Sequence, residues 1–376
     1  MIIGVPKESL HQEHRVGLTP DAAAHLHRLG HTIVVQHDAG LGARFSNHEY
    51  EQAGAQIVYS AEEAYRRADL VTRIGTMSSV ELDLLKPGSA ICSFHHMAVA
   101  SKALVAGLVE REITAISYEL IEDAAGDRPI LAPFSEMAGM LAVHLAGYYL
   151  QNDSGGRGIL LGNVPGIAPP TVVILGAGIA GRTAACHARA TGARVVVVDT
   201  DMAKLRAVSS RCGGQVATAN ASLEPLENYT ASADVLIGAV LIPGSRAPIL
   251  VTEDMVEGMR RGSVIVDLSI DQGGCVETSR PTSLDQPTFI VHDVVHYCVP
   301  NMTANVARTA SKVLTRAVLP QLVSLAERGT GGAAAADPHL AAGVVMYEGN
   351  LVHAQVASAH GLPFVELRSL LAGAGA

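Results

Sequence analysis

Along the first third of the chain, short apolar runs alternate with amphipathic segments, the pattern of strands separated by helices. IIGV at residues 2–5 reads as a strand, and a polar loop from Glu8 to Arg15 follows it. Thr19 and Pro20 then open a helix through Leu29, a cap residue followed by the imino acid that suits a first helical turn. HTIVVQHD reads as a strand, residues 47–54 as a helix, AQIVY as a strand and AEEAYRRA as a helix. ADLVTRI and SAICSFHH are two further strands, and LVEREITAISYEL passes once more from helix to strand. This alternation predicts a small parallel sheet.

A long helix is expected from about Ser135 toward Leu150. Residues 171–200, TVVILGAGIAGRTAACHARATGARVVVVDT, then run strand, tight turn, small-residue helix and second strand. Gly176, Gly178 and Gly181 stand at the G-x-G-x-x-G spacing of a dinucleotide-binding turn. Gly176 permits the turn, Gly178 lets backbone N–H groups approach a pyrophosphate, and Gly181 lets the helix pack on the sheet. The helix N-terminus faces the two negative charges. Asp199 ends the second strand, where it accepts hydrogen bonds from adenosine ribose hydroxyls and repels a 2′-phosphate. NAD is therefore expected over NADP, a preference that Lys204 and Arg206 temper.

Further strands are expected at 214–217, 235–239, 263–267 and 289–291, and after Asn301 the run NVARTASKVLTRAVLPQLVSLAE is helical. The fold class is α/β with two domains. A doubly wound Rossmann-type NAD domain, residues 135–307, is inserted in a catalytic α/β domain. That domain is made of residues 1–134 and a helical C-terminal part, 308–376, with the cofactor expected in a cleft between the two domains.

Composition supports a compact enzyme: 376 residues with 48% hydrophobic and only 17% charged. The low charged fraction and apolar C-terminal segments also point to surface covered by other subunits. A net charge of -9, without a basic cluster interleaved with aromatics, argues against nucleic acid as a partner. The apolar stretches 139–150 and 232–243 are interrupted or bounded by His144, Pro243 and Gly244, and none has the length of a membrane span. With no basic-then-apolar leader before the first strand, a cytoplasmic location is expected. The five cysteines are scattered, odd in number and without a C-x-x-C pair, so they read as reduced thiols. No zinc or other metal pattern is visible.

Chemistry-bearing residues gather at strand ends. His95 and His96 follow SAICSF, and in a pattern of period two only one of them faces a site, as a general acid–base group. Arg15 is either a clamp for a carboxylate in bidentate fashion or a solvated loop arginine. Asp267 and Asp271 flank DLSIDQGG, where either an active-site or a capping role fits. Ser135 and Glu136 combine capping with a phosphate contact, and Asn301 is placed to hold a cofactor amide.

The blocks IGVPKE, HRVGLTP, AISYE, LLGNVPGIAP, the glycine turn, ADVLIGAVLIPGSRAP, VIVDLSIDQGGCVETSRPT and YCVPNM together resemble the alanine dehydrogenase family. They also resemble the related nicotinamide nucleotide-binding subunit of proton-pumping transhydrogenase. The resemblance runs from residue 1 to about 310. It implies a homohexamer and NAD-linked oxidation of a small L-amino acid, by default L-alanine, with water to a 2-oxo acid and ammonium, and the reverse. By the same resemblance Arg15 binds the substrate carboxylate, His96 rather than His95 is catalytic, and Asp271 is the active-site aspartate. Asp199 binds ribose, and Ser135 and Asn301 contact the cofactor.

One motif departs. Where the family has K-V-K-E-P, with its second lysine on the substrate, this chain reads Arg73-Ile74-Gly75-Thr76-Met77. Three consequences are open. Arg73 takes over the lost contact, or the pocket is remodelled for a different amino or oxo acid, or a non-catalytic nucleotide-binding homologue remains.

Overall fold

The computed structural model describes residues 1–10, 12–221, 225–241 and 246–373, so Pro243 and Gly244 of the ADVLIGAVLIPGSRAP block lie outside it. The chain divides into two compact units. One comprises Met1–Phe134 and the segment from Ala304 onward, the other Ser135–Thr303.

In chain order the first unit contributes β1 (Ile2–Val5), β2 (Thr32–Gln36), β3 (Gln56–Val58), β4 (Leu70–Thr72), β5 (Ala90–Ser93) and β6 (Thr114–Ser117). The second contributes β7 (Thr171–Leu175), β8 (Arg194–Asp199), β9 (Ala217–Asn220), β10 (Val235–Gly238), β11 (Val264–Asp267), β12 (Thr288–Val291) and β13 (Val294–Tyr297). The chain then returns to the first unit for β14 (Val344–Tyr347) and β15 (Asn350–Leu351).

The first sheet has the order β15-β14-β6-β5-β4-β1-β2-β3 and the second β12-β13-β11-β10-β7-β8-β9. Pairing is parallel except for β14 and β15 in the first and β12 in the second. Each sheet winds outward in one direction from its first strand, then restarts on that strand's other side. β1 beside β4, and β7 beside β10, are therefore the two topological switch points, where the carboxyl ends of the strands open a crevice.

The second sheet is buried on both faces, as a parallel sheet covered by helices must be. Val172, Ile174, Val195 and Val197 pack into one apolar cluster, and Val173, Leu175, Val196 and Val198 into another. Alternate side chains of a strand point to opposite faces, so one β-branched run fills two cores.

Several features differ from the sequence expectation, the unforeseen strand β13 among them. The long helix begins at Ala132 rather than Ser135, with Pro133 in its first turn. The strand expected at 214–217 begins at Ala217, because Gly213 and Gly214 both take positive φ, of 64° and 71°, in the preceding turn. The C-terminal part is not helical throughout. Glu348 and Gly349, with φ of 45° and 77°, close the two-residue hairpin of β14 and β15, in the backbone region that such tight turns require. Finally, Cys186 and Cys212 form a disulfide with Cα atoms 5.3 Å apart. Cys92, Cys275 and Cys298 are buried thiols. The bridge ties the helix Ile179–Ala190 to the end of the helix Met202–Arg211 across a separation of 26 residues. In the loop-entropy account that closure contributes about 3–4 kcal/mol.

Among the described residues no helix is long and apolar enough to cross a membrane.

Candidate functional site

In the second unit the three glycines of the fingerprint do three different things. Gly176 turns the chain with φ 99°, and a Cβ there would lie 2.4 Å from the Ala239 carbonyl oxygen across the switch point. A Cβ on Gly181 would lie 1.9 Å from the Gly176 carbonyl oxygen, so the helix touches the turn backbone to backbone. Gly178 caps the helix Ile179–Ala190 with an ordinary φ of -67°, and nothing among the described residues lies within 4 Å of where its Cβ would stand. Space of that kind in front of a helix N-terminus fits a pyrophosphate. Asp199 is held at the end of β8: Oδ2 accepts the Ala177 N–H at 2.6 Å and Oδ1 the Asp201 N–H at 2.8 Å. Each carboxylate oxygen keeps a further lone pair for a ribose hydroxyl. The turn thus fits the adenosine diphosphate half of NAD on its own geometry.

These roles are separable by substitution. Gly178→Ala is expected to leave stability within about 0.5 kcal/mol of the parent. Its NAD affinity should fall about tenfold or more, because the methyl group occupies the ligand's approach. Titration calorimetry gives the affinity, and an unchanged Kd would remove the pyrophosphate from this position.

At the end of β11, Asp267 is 2% exposed, and its oxygens accept the N–H groups of Ser269 and Cys275, both at 3.0 Å. Burial pushes its carboxyl up, against these hydrogen bonds. It is a cap of the turn Leu268–Gln272. Asp271, in that turn, is exposed, and its Oδ1 accepts the N–H of Asn301 at 3.2 Å. Asn301 has φ 52°, an uncommon backbone for a residue with a side chain. Ser135 is half-buried in the helix Ala132–Tyr149.

In the first unit, β5 ends at Ser93 and the two histidines part company beyond it. His95 is buried, its Nδ1 3.0 Å from the Ser93 hydroxyl and its Nε2 3.3 Å from the Ile91 carbonyl oxygen. Burial lowers its pKa to about 4, so it is neutral. His96 is exposed, with its backbone in the left-handed region at φ 45°, ψ 43°. Glu119, in the turn after β6, accepts the His96 N–H at 2.7 Å.

Arg15 is 4% exposed and grips Glu13 through Nε at 2.7 Å and Nη2 at 2.5 Å, a bidentate hold on a carboxylate. The next residue is fixed by the long C-terminal helix, whose Ser311 hydroxyl accepts the Val16 N–H at 3.0 Å. The guanidinium lies 5.8 Å from the Phe134 ring centre, and Phe134 meets Phe94 edge-on at 5.2 Å. Phe94 in turn stands 6.5 Å from the His96 ring. One aromatic pair therefore links the two candidate residues of this unit.

Arg73 is placed differently from the expectation that it reaches for substrate. It is fully buried at the β1/β4 switch point. Nη2 bonds Glu8 Oε2 at 2.9 Å, while Nη1 bonds Glu81 Oε1 at 2.9 Å and the Tyr65 hydroxyl at 2.8 Å. Burial alone would lower the pKa of Arg73, and Glu8, Tyr65 and Glu81 more than reverse it. Burial likewise pushes the Glu8 carboxyl up, against Arg73 and the Ile74 N–H. A guanidinium committed to two carboxylates inside the unit has no fork left for a third. A Cβ at Gly75 would meet Leu10 Cδ1 at 2.8 Å, the end of an exposed side chain that can turn away.

Glu8, Glu81 and Glu119 are the residues sequence reasoning missed. Glu8 and Glu119 each close a block that follows an apolar strand, IGVPKE and AISYE, which was the available signal. Glu81 forms a capping box with Ser78.

Comparison with known proteins agrees along the whole chain. The profile of the N-terminal domain of alanine dehydrogenase/PNT matches residues 4–138, and that of the C-terminal domain residues 142–354. Alanine dehydrogenase of Mycobacterium tuberculosis (strain ATCC 25618 / H37Rv) is 42% identical over 372 residues, covering 99% of this chain and 100% of that one. Alanine dehydrogenase of Halomonas elongata is also 42% identical, with 99% and 100% covered. A solved L-alanine dehydrogenase superposes with TM-score 0.91 at 43% identity, covering 96% of this chain and 99% of the other. Transhydrogenase from Sinorhizobium meliloti superposes with TM-score 0.81 at 26% identity, covering 94% and 99%.

Proposed function

We propose, from the premise that this chain belongs to the alanine dehydrogenase/PNT family and is an NAD-dependent amino-acid dehydrogenase, that its substrate is L-alanine. The products are pyruvate and ammonium, and the reverse reaction is reductive amination. The observation that carries this reading is the Arg15 fork, which holds the Glu13 carboxylate as an amino acid's carboxylate would be held and is joined through Phe134 and Phe94 to His96.

Residues Gly176, Gly178, Gly181 and Asp199 would hold NAD, with Ser135 and Asn301 as further contacts. When bound, it supplies the hydride acceptor for the Cα–H of the amino acid. Arg15 exchanges Glu13 for the substrate carboxylate, so binding replaces one bidentate pair by another and fixes Cα. His96 takes a proton from the water that adds at Cα and returns it to the departing nitrogen, as general base and then general acid. Asp271 balances the positive charge that develops at nitrogen and holds Asn301 in place through its N–H. Neutral His95 anchors the segment from behind. The homohexamer and the cytoplasmic setting expected above belong to the same proposal.

A second reading rests on Gly75. Gly75, beside the Leu10 side chain, offers no charge where the family lysine would bring one, which suits a different 2-amino or 2-oxo acid. Absorbance of NADH with NAD and a panel of L-amino acids, and of its loss with 2-oxo acids and ammonium, decides between them. Alanine as the best substrate supports the first reading, and a larger or more apolar acid the second. Silence in both panels from protein that binds NAD overturns both.

A further inference from the structure

β5 and β6 are parallel neighbours, and the segments leaving their carboxyl ends carry His95–His96 and Tyr118–Glu119. Glu119 is only 9% exposed, so a carboxylate is sunk directly beside the exposed His96. Its Oε1 accepts the His96 N–H at 2.7 Å. That bond restrains a left-handed backbone, a conformation that a residue with a side chain keeps only where its surroundings impose it. The other oxygen, Oε2, is buried and has no hydrogen-bond partner among the described residues. Nearly every buried polar atom in a folded protein has one, so this acceptor calls for a donor that arrives in another state.

We propose that Glu119 is the positioning residue of the proton-transfer step, holding the His96 backbone through Oε1 and receiving a ring N–H of His96 on Oε2 when the imidazole is protonated. The inference rests on the reading of His96 as the proton carrier. Both ring nitrogens are donors only in the imidazolium, so Oε2 gains its partner when the ring has taken the proton from water. Glu119 accepts hydrogen bonds and moves no proton itself in this step. A charged carboxylate beside an imidazole favours the imidazolium over the neutral ring. Burial pushes the Glu119 carboxyl up, while the His96 imidazolium and the N–H groups of His96 and His95 pull it down. Tyr118, directly before Glu119, is buried and its hydroxyl is pushed well above its ordinary value. His95 lies behind and is neutral, Arg73 acts on His95, and His360 of the helix Ala354–His360 bonds the Met97 carbonyl oxygen at 2.8 Å.

Glu119→Gln keeps an acceptor for the His96 N–H and removes the charge. In the full chain we expect kcat to fall about tenfold or more, with the NAD Kd unchanged. The acid limb of the kcat/KM profile should move about half a pH unit or more toward lower pH, and Glu119→Asp should restore part of both effects. NMR titration of the His96 ring, assigned by its absence in His96→Gln, reads the same charge without turnover. The ring should titrate at lower pH in Glu119→Gln than in the parent. An unmoved titration overturns the proposal whatever the kinetics do. A moved titration together with full activity in a His96 variant instead overturns the proton role of His96. Should Glu119→Gln fail to fold, Glu119→Ala, which also removes the charge, carries the same titration test, and an unmoved ring there is equally fatal.

Discussion

Replacement of His96 by alanine is expected to lower kcat about 10²–10⁴-fold, the span that a positioned general acid–base group contributes, while the NAD Kd stays nearly constant. The separation follows from where the residues sit. His96 projects from the end of β5 in the first unit, whereas the glycine turn and Asp199 belong to the second. Removing an exposed imidazole leaves no cavity and no buried orphan, so folding should be little affected. KM for the amino acid should also change little, because Arg15 and not His96 carries its carboxylate. Stopped-flow and steady-state NADH absorbance, with calorimetry for the Kd, check each part. Full turnover in the variant would remove His96 from the mechanism, and a parallel loss of NAD binding would make its role structural.

Replacement of Arg73 by alanine is expected to destabilise the protein by about 3–5 kcal/mol, the usual consequence of removing one partner of a buried ion pair. Glu8 and Glu81 would be left facing each other without their cation, and Glu8 is also the residue that accepts the Ile74 N–H at 2.6 Å. Urea unfolding followed by circular dichroism measures the loss. Neutralising the carboxylates as well, with Glu8→Gln and Glu81→Gln in an Arg73→Met background, should recover a large part of it, because no uncompensated charge then remains. The network also has a pH signature. Burial raises the Glu81 carboxyl, but Arg73 and Ser78 together outweigh it and hold it below its ordinary value of 4.5. Its contribution is therefore fully present above that value and is lost as pH falls through the lower, folded value. An Arg73→Ala protein of parental stability but raised KM would show instead that the guanidinium serves the substrate.

Much of the first unit's alternation of strands and helices was legible from apolar periodicity, and the boundaries slipped mainly where glycines set the turn. The capping box at Ser46 and Glu49 marks the start of the helix Asn47–Gln52 in sequence as it does in space. β14 and β15 were missed because four apolar residues, VVMY, do not distinguish a strand from a piece of helix. The Glu348-Gly349 turn was the signal that did. In the candidate site, a period of two left His95 and His96 as alternatives and the resemblance favoured His96; the fold buries the first and exposes the second.

Sequence by itself determined what depends on a few consecutive residues. The glycine spacing specifies a turn, an open approach and a close packing contact, and the β-branched runs specify strands buried on both faces, because φ, ψ and side-chain period are local properties. Tertiary structure alone decided what depends on pairing across the chain. Arg73 meets Glu8 across 65 residues, His96 meets Glu119 across 23, and Cys186 meets Cys212 across 26. A guanidinium in water is a ligand for any carboxylate. Which carboxylate it takes, and whether a substrate can compete, is settled only when packing has removed the water and fixed the distance.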